Sequence, residues 1–357
     1  MTEELVDKPK EIRPGEELDE AKVEAFLKAN IPGLSGKIEI RQYPGGHSNL
    51  TYSVRIGDRE LVLRRPPFGT KAKTAHDMSR EYRVLKALRP VFPYCPEPLL
   101  YTDDESILGC PFYVMEKIRG IILRKDMPPG LDLSAAQVRE LFTNLIRVQC
   151  ELHALDYKAA GLAGFGKPEG YVRRQVEGWS QRYRNARTPD APDCEEVMAW
   201  LADHMPPESG RASVIHNDFR LDNAVLDVKN PLRIIGVLDW EMATIGDPLM
   251  DLGSSLPYFV QADDPPEVQA MRQAPTHVPG APTRKEVVRL YEEISGRKVD
   301  HVEFYYVFGL FRLAVIAQQI YLRYYLGQTK DSRFQAMVFG VIILDQTARR
   351  VIAGSGL

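Results

Sequence analysis

The sequence has few cysteines and no excess of charge of either sign. Its 357 residues include four cysteines, 46 basic and 49 acidic side chains, so the formal net charge is -3. No two cysteines form a CxxC pair, which argues against a zinc site and against a disulfide framework. A nearly balanced charge gives no global attraction to nucleic acid or to an anionic membrane. We therefore expect neither partner.

Long hydrophobic runs are also lacking. The most apolar stretch, residues 304–326, is interrupted by two arginines and two glutamines, whereas a membrane span needs about 20 mostly apolar residues. The first 20 residues are largely charged residues and proline, without the basic start and apolar stretch of a secretory signal. The sequence predicts a cytoplasmic protein in which residues 304–326 form a buried or interface helix.

The composition, 44% hydrophobic and 27% charged, is that of a globular chain long enough for about two domains. Residues 1–34 predict a leader and one helix, and residues 35–118 predict a nucleotide-binding N-terminal lobe with an antiparallel sheet. Residues 119–357 predict a larger, mainly helical C-terminal lobe, with the stretch 302–352 helical throughout. The predicted fold class is α+β.

The most informative segment is the His-x-Asp-x-x-x-x-Asn pattern at His216–Asn223, followed by Asp239 at the end of an apolar strand. Asn and Asp supply the hard oxygen ligands that suit Mg²⁺, which usually keeps waters and takes substrate phosphates as its other ligands. A separate Asp can accept the proton of an attacking hydroxyl group. This division of labour is typical of phosphoryl transfer; the alternative is a polar turn without function.

Three segments together resemble the aminoglycoside phosphotransferase and choline kinase family, which has a two-lobed, protein-kinase-like fold: His216–Asn223, Val237–Glu241 and Gly246–Leu252. The resemblance covers about residues 35–330. It implies that Asp218 is the catalytic base, that Asn223 and Asp239 are Mg²⁺ ligands, and that His216 braces the loop. The cofactors it implies are ATP and Mg²⁺.

The nucleotide side fits the same family pattern. Residues 44–49 join the first two predicted strands, where such kinases fold a loop over the phosphates. Backbone N–H groups near Ser48 and Asn49 are the predicted phosphate contacts, and a plain hairpin turn is the alternative. The strand before Glu116 matches the interlobe hinge of the family, which implies that adenine bonds the backbone of Glu116 and Ile118.

One position departs from the family pattern. Arg64, in the third predicted strand, stands where the family usually has a phosphate-binding lysine. An arginine presents a planar fork suited to phosphate and to a carboxylate, and Glu81 on the following helix is its natural partner. The alternative is a surface ion pair of little consequence in a weak or inactive homologue. Intact Asp218, Asn223 and Asp239 argue against inactivity.

Further segments resemble the branch of the family found fused or adjacent to acyl-CoA dehydrogenases: Gly45–Tyr52, Leu63–Pro67, Ser79–Tyr82 and Arg174–Trp179. In that branch arginine at the lysine position is usual, and the implied acceptors are hydroxylated acyl-CoA esters, notably 4-hydroxyacyl-CoAs. Residues 160–190 contain six basic and three acidic side chains, which suits an anionic acceptor. A solvated helix face is the alternative explanation of those charges.

Several nearby residues receive supporting roles. Arg220 stands where a protein kinase often has a lysine near the transferred phosphate, so it is a predicted catalytic residue; an outward-facing salt bridge is the alternative. Asp247 and Asp251 are predicted to accept backbone N–H bonds that hold the catalytic loop and start the next helix. His153 is predicted to be a core histidine with satisfied hydrogen bonds.

These inferences predict a kinase that transfers the γ-phosphoryl group of ATP to a hydroxyl group of a small molecule, with a hydroxyacyl-CoA-type anionic acceptor favoured. One alternative is an aminoglycoside or other amino-alcohol phosphotransferase. The other is a non-catalytic nucleotide-binding homologue. The aromatic C-terminal helices are compatible with a monomer or a homodimer.

Overall fold

The computed structural model describes residues 2–43, 49–67, 77–208, 210–329 and 331–354. Within these ranges the strands are β1 Ile38–Gln42, β2 Leu50–Ile56, β3 Arg59–Arg65, β4 Pro98–Thr102, β5 Phe112–Glu116, β6 Ser213–Ile215, β7 Ala224–Leu226, β8 Ile234–Val237 and β9 Thr244–Gly246. The α-helices are α1 Glu20–Asn30, α2 Met78–Leu88, α3 Glu105–Leu108, α4 Ala135–Ala154, α5 Tyr171–Ala186, α6 Glu195–Asp203, α7 Pro248–Ser255, α8 Pro266–Ala270, α9 Arg284–Ser295, α10 Val302–Tyr325 and α11 Met337–Ile352.

The chain forms two compact units. The first unit contains residues 1–122 and 223–243, and the second contains residues 123–222 and 244–357. The hairpin of β7 and β8 therefore belongs to the first unit, although it lies far along the chain. The boundaries at residues 34 and 118, drawn from the sequence in simple chain order, stay a prediction.

The first unit is built on a five-stranded antiparallel sheet of strand order β1-β2-β3-β5-β4. The β2–β3 hairpin turns at Gly57, whose φ of 58° suits a residue without a Cβ atom. Alternate side chains of the sheet, such as Leu61 and Leu63, are buried in a core with Val23 and Leu27 of α1. This rigid sheet carries Arg64 at the end of β3.

The second unit is mainly helical. Helices α7 and α10 approach so closely that a Cβ atom on Gly309 would lie 2.1 Å from the carbonyl oxygen of Gly253. Strands β6 and β9 form a short antiparallel pair. The segments that precede and follow the β7–β8 hairpin in the sequence are therefore paired with each other in the second unit. The contact between α7 and α10 fixes the helix that carries Asp251.

Helix α10 is long and apolar enough, by length and composition, to be a candidate membrane span, and it is the one such helix among the residues described. In this structure 72% of its most apolar window is buried. The buried helix predicted at residues 304–326 is therefore confirmed as a core element of the second unit.

The prediction of an unbroken helix over residues 302–352 is wrong. Helix α10 ends at Tyr325, and Gly327 has a φ of 68°, a left-handed conformation that ends helices. A short 3-10 helix, capped by the Asp331 side chain, precedes α11. The glycine and the Asp cap are the local signals for this break.

Candidate active site

In the first unit, Arg64 connects three acidic side chains. Its guanidinium lies 2.6 Å from Oε1 of Glu81 on α2, 3.0 Å from Oδ1 of Asp239 and 3.6 Å from Oε2 of Glu241. The predicted pairing of Arg64 with Glu81 is confirmed. Both side chains are buried, so the alternative of a surface ion pair is wrong.

The surroundings of Arg64 keep it charged. Burial by itself lowers the pKa of a guanidinium, but the carboxylate of Glu81, together with Tyr113, Asp239 and Glu241, raises the pKa of Arg64 well above its usual value. The guanidinium of Arg64 thus stays positively charged on the middle strand of the sheet, paired with Glu81 and with one nitrogen directed at Asp239.

Glu81 is expected to be needed for stability because it is the nearest partner of a buried charge. Glu81→Ala should lower the free energy of unfolding by about 3 kcal/mol, whereas replacing both partners, Arg64→Met with Glu81→Leu, should recover most of it. Urea unfolding measures both effects. As a control, Glu60→Ala removes the exposed partner of Lys117 and should cost less than about 1 kcal/mol. A double variant no more stable than Glu81→Ala would contradict this account.

Glu241 is a site residue that the sequence analysis quoted only as part of a motif. Its Oε2 accepts a hydrogen bond of 2.7 Å from Nδ2 of Asn49, and Asn49 is buried at the start of β2. Glu241 therefore joins the end of the predicted phosphate loop to Arg64. Its position two residues after Asp239 was the available signal. Ser48, the other predicted loop contact, lies outside the described residues.

The predicted metal ligands Asn223 and Asp239 flank the β7–β8 hairpin. Ala224 pairs with Val237, and the backbone N–H of Leu238 donates to the carbonyl of Asn223 over 2.8 Å. The strand pairing therefore brings the two ligand positions to the same end of the hairpin. Asp239 has a φ of 67°, an uncommon conformation for a residue other than glycine.

This donor set fits Mg²⁺. Asn223 and Asp239 offer one amide oxygen and one carboxylate, and Mg²⁺ usually takes one or two carboxylates with phosphates and waters. Arg64 also orients the carboxylate of Asp239 by a hydrogen bond. Residues that hydrogen-bond to a metal ligand commonly have this role. No group of three or more His, Cys, Asp or Glu side chains able to hold a metal occurs among the residues described.

Glu116 is the last residue of strand β5, and Ile118 follows two residues later. The backbone N–H of Glu116 donates to Glu97 over 2.9 Å, so its carbonyl is the group that the adenine prediction concerns. The side chain of Ile118 packs on Gly236 of β8, where a Cβ atom would lie 2.7 Å from its Cδ1 atom. Gly236 thus leaves the space that Ile118 occupies.

In the second unit, Asp218 is held by two donors. The hydroxyl of Tyr258 donates to its Oδ1 over 3.1 Å, and Nε of Arg220 donates to its Oδ2 over 3.2 Å. Arg220 also pairs with Asp222 at 3.1 Å, donates to Gln273 and stacks on the ring of Tyr258 at 4.9 Å. We call these five residues the catalytic-loop cluster.

Two members of the cluster, Asp222 and Tyr258, have raised pKa values. Burial raises the pKa of Asp222 to about 6, and the nearby Arg220 acts in the opposite direction. Burial and the carboxylate of Asp218 raise the pKa of Tyr258, so this hydroxyl keeps its proton and remains a donor. Arg220 forms salt bridges with Asp218 and Asp222, as in the alternative, but its side chain is mostly buried rather than outward-facing, and its catalytic role stays a prediction. Tyr258 and Gln273 were missed because they are 40 and 53 residues away from their partners in the sequence.

Asp251 braces the backbone next to Asp218. It accepts bonds from the N–H groups of His216 and Asn217, at 3.0 and 2.6 Å, and its Oδ2 lies 2.9 Å from Nε2 of His153. His216 in turn accepts from the N–H of Asp218 over 3.3 Å. The predicted roles of Asp251, His153 and His216 as structural supports are confirmed. Asp247 also acts as predicted, because it caps α7.

Asp251 is expected to make stability depend on pH. Burial favours the neutral form of Asp251. The hydrogen bond and electrostatic attraction from His153, together with the electrostatic attraction and backbone N–H of His216, outweigh burial, so the pKa of Asp251 is lowered. A lowered pKa adds stability above about pH 4 that is lost as pH falls through the folded-state pKa. Asp251→Asn should cost roughly 2–4 kcal/mol at pH 7, and the difference from the parent protein should shrink below about pH 4. Urea unfolding across pH tests this, and the exposed Asp203→Asn is the control.

The six basic side chains of residues 160–190 are exposed. Arg173 pairs with Glu177, Arg184 pairs with Glu195, and Arg182 stacks on Trp179. These cations contact residues of α5 and of the neighbouring helix α6, as expected for a solvated helix face. They do not argue for an anionic acceptor.

The chain belongs to the phosphotransferase enzyme family, whose model matches residues 39–287. This match confirms the resemblance drawn from the sequence motifs.

Individual proteins are also similar to this chain in sequence and in structure. Acyl-CoA dehydrogenase family member 10 of Mus musculus is 37% identical over 316 residues, which cover 88% of this chain and 29% of that protein. The chain spans less than half the length of the curated relatives it matches. A solved Ralstonia eutropha JMP134 protein, provisionally described as an aminoglycoside phosphotransferase, is 28% identical with a TM-score of 0.79, covering 96% of this chain and all of that one.

More distant structures show the same fold. Aminoglycoside 2'-phosphotransferase-IIIa, solved as a GDP complex, is 15% identical with a TM-score of 0.61, covering 92% of this chain and 99% of that one. The α+β, two-lobed, protein-kinase-like fold is confirmed.

Proposed function

We propose that this protein is a small-molecule kinase that transfers the γ-phosphoryl group of Mg-ATP to a hydroxyl group of an acyl-type acceptor, such as a hydroxyacyl-CoA. The observation that carries the proposal is that the buried Arg64–Glu81 pair also contacts Asp239, which lies next to Asn223 across the β7–β8 hairpin. A plain structural ion pair would need no second carboxylate, whereas a kinase needs a fixed cation for phosphates next to metal ligands.

The first unit is proposed to hold the nucleotide. Asn223 and Asp239 would hold Mg²⁺, which when bound neutralises charge on the phosphates. Arg64 orients Asp239 with one nitrogen and contributes positive charge toward the phosphates. The carbonyl of Glu116 and the N–H of Ile118 are proposed to bond adenine. The GDP complex of the related aminoglycoside phosphotransferase supports nucleotide binding by this fold.

The second unit is proposed to activate the acceptor. Asp218 accepts the proton of the acceptor hydroxyl as its oxygen bonds to phosphorus. The bond from phosphorus to the bridging oxygen of ADP breaks, and ADP leaves with that electron pair. Tyr258 and Arg220 hold the Asp218 carboxylate in one orientation, which limits the motion lost in reaching the transition state. Arg220 is proposed to offset negative charge there.

The acceptor class rests on relatedness. The 37% identical relative is an acyl-CoA dehydrogenase family member, which supports an acceptor that carries an acyl group. The similarity to the Ralstonia protein keeps aminoglycoside phosphorylation as the second candidate. A nucleotide-binding homologue without turnover is the third.

ADP release by the purified protein tests these three candidates. The panel contains a 4-hydroxyacyl-CoA, its free hydroxy acid, choline and kanamycin, each with Mg-ATP, and Asp218→Asn is the control. We expect turnover with the acyl-CoA and none with kanamycin. Turnover with kanamycin alone would establish the second candidate. Thermal stabilisation by ATP without ADP release from any acceptor would support the third.

A further inference from the structure

A pocket in the second unit adjoins the catalytic-loop cluster. Two members of that cluster, Tyr258 and Gln273, also line the pocket, which has a volume of about 30 Å³. Tyr258 bonds Asp218 and Gln273 bonds Arg220. The pocket therefore begins one side chain away from the proposed catalytic base.

The remaining lining is mainly apolar. It comes from the segment after α7 and from helices α10 and α11, and it includes Val260, Val268, Met271, Leu310, Leu313 and Ile343. Four of these, Val268, Met271, Leu313 and Ile343, are only partly buried. Apolar surface that a ligand can still cover gains free energy when it is covered.

The charged residue that lines the pocket is already neutralised. Arg284 donates to both carboxylate oxygens of Asp264, over 2.7 and 2.8 Å, and to the carbonyl of Phe259 over 3.0 Å. Its guanidinium stacks on the ring of Tyr306 at 5.2 Å. Arg284 thus holds the segment from Phe259 to Asp264, and its charge is paired with that of Asp264. A charged occupant would find no strong partner in Arg284.

We propose that this pocket, which we call the tail pocket, binds the aliphatic tail of the acceptor that lies beyond the carbon bearing the hydroxyl group. The proposal rests on the proposed function. With the acceptor hydroxyl at Asp218, the hydrocarbon tail on one side of the hydroxyl-bearing carbon extends past Tyr258. The acyl group lies on the other side of that carbon. A polycationic acceptor would place charge against Leu310 and Leu313, which is unfavourable.

The size of the tail pocket sets the expected length of the tail. Its volume of about 30 Å³ is two to three times the roughly 10–15 Å³ that one water molecule requires on the same measure, so about two or three carbons fit without rearrangement. The unbranched side chain of Met271 can adapt to somewhat longer tails. The tail pocket should therefore favour short and medium tails.

Ile343 and its neighbour Ile342 provide a matched test. Both are partly buried on α11, but Ile343 lines the tail pocket and Ile342 does not. Initial rates are measured with 4-hydroxyacyl-CoAs whose tails beyond the hydroxyl-bearing carbon have one, three, five or seven carbons. For the parent protein, kcat/KM should rise by about fourfold per added carbon until the tail pocket is filled.

The two substitutions at Ile343 should change the dependence of kcat/KM on tail length in opposite directions. Ile343→Phe should lower the kcat/KM of the three-carbon acceptor relative to the one-carbon acceptor by about tenfold, and Ile343→Ala should extend the rise to a longer tail. Ile342→Phe should reproduce the series of the parent protein. The same acceptors are also tested without ATP for the shift in melting temperature that they cause.

The two readouts separate the tail pocket from the kinase reaction. Turnover with the same tail dependence in all four proteins would overturn the tail pocket and leave the kinase intact. No turnover, with a tail-dependent melting shift that Ile343→Phe abolishes, would retain the tail pocket and overturn the reaction. Absence of both signals would overturn both proposals.

Discussion

Asp218→Asn is expected to reduce ADP release with the acceptor by at least about a thousandfold, while the Kd for ATP changes by less than about threefold. The amide is nearly the same size as the carboxylate but cannot accept the proton of the acceptor hydroxyl, and general-base catalysis typically contributes 10²–10⁴-fold. The residues proposed to hold the nucleotide are in the first unit, so their contacts should remain.

Two comparison variants define what this result means. Tyr258→Phe removes the hydroxyl that bonds Asp218 but keeps the ring on which Arg220 stacks, so a loss in kcat of about tenfold is expected. Asp203→Asn, at an exposed position on α6, should retain full turnover. If Asp218→Asn worked within about threefold of the parent rate, Asp218 would not be the base.

Asp239→Ala is expected to raise the Kd for ATP in the presence of Mg²⁺ by about 30- to 100-fold. The variant loses the one carboxylate of the proposed Mg²⁺ ligand pair, and Arg64 loses the partner that it orients. Because Arg64 keeps Glu81 at 2.6 Å, the fold should survive, and a melting curve checks this.

Titration calorimetry with and without Mg²⁺ gives the diagnostic comparison for Asp239. The parent protein should bind ATP much more tightly with the metal than with excess EDTA, whereas Asp239→Ala should show nearly equal affinities in both conditions. Asp227→Asn, a substitution at the far end of the same hairpin, is the control. A variant that kept the full effect of Mg²⁺ would remove Asp239 from the metal site.

Features that depend on neighbouring residues could be predicted from the sequence. Asp19 caps α1, and Ser134 caps α4 with a full capping box, as the hydroxyl or carboxyl residue before each periodic stretch indicates. Strand β2 ends directly before Gly57 and β3 directly before Pro66, residues that typically end strands, and the Arg64–Glu81 pair forms as expected. In each case the signal and the structure lie within a few residues, or within a family motif.

Features that depend on distant residues could not be predicted in this way. Strand β9 has three residues and exists because it pairs with β6, about thirty positions earlier. Glu241 meets Asn49 across 192 positions, and Tyr258 reaches Asp218 only after α7 has been positioned. Periodicity within one segment carries no information on such pairings. The candidate site was therefore predicted as a set of ligands and a base, without the side chains that orient them.

The discontinuity of the first unit has a consequence for biosynthesis. Residues 1–122 leave the ribosome well before residues 223–243, which complete that unit. At about 5–20 residues per second, the delay is roughly 6–24 s. During this interval the buried Arg64 lacks Asp239 and Glu241, and the nascent sheet lacks the hairpin that ends in Asp239. The N-terminal part of the chain should therefore stay sensitive to proteases on the ribosome until residue 243 has emerged, and then become protected in a single late step.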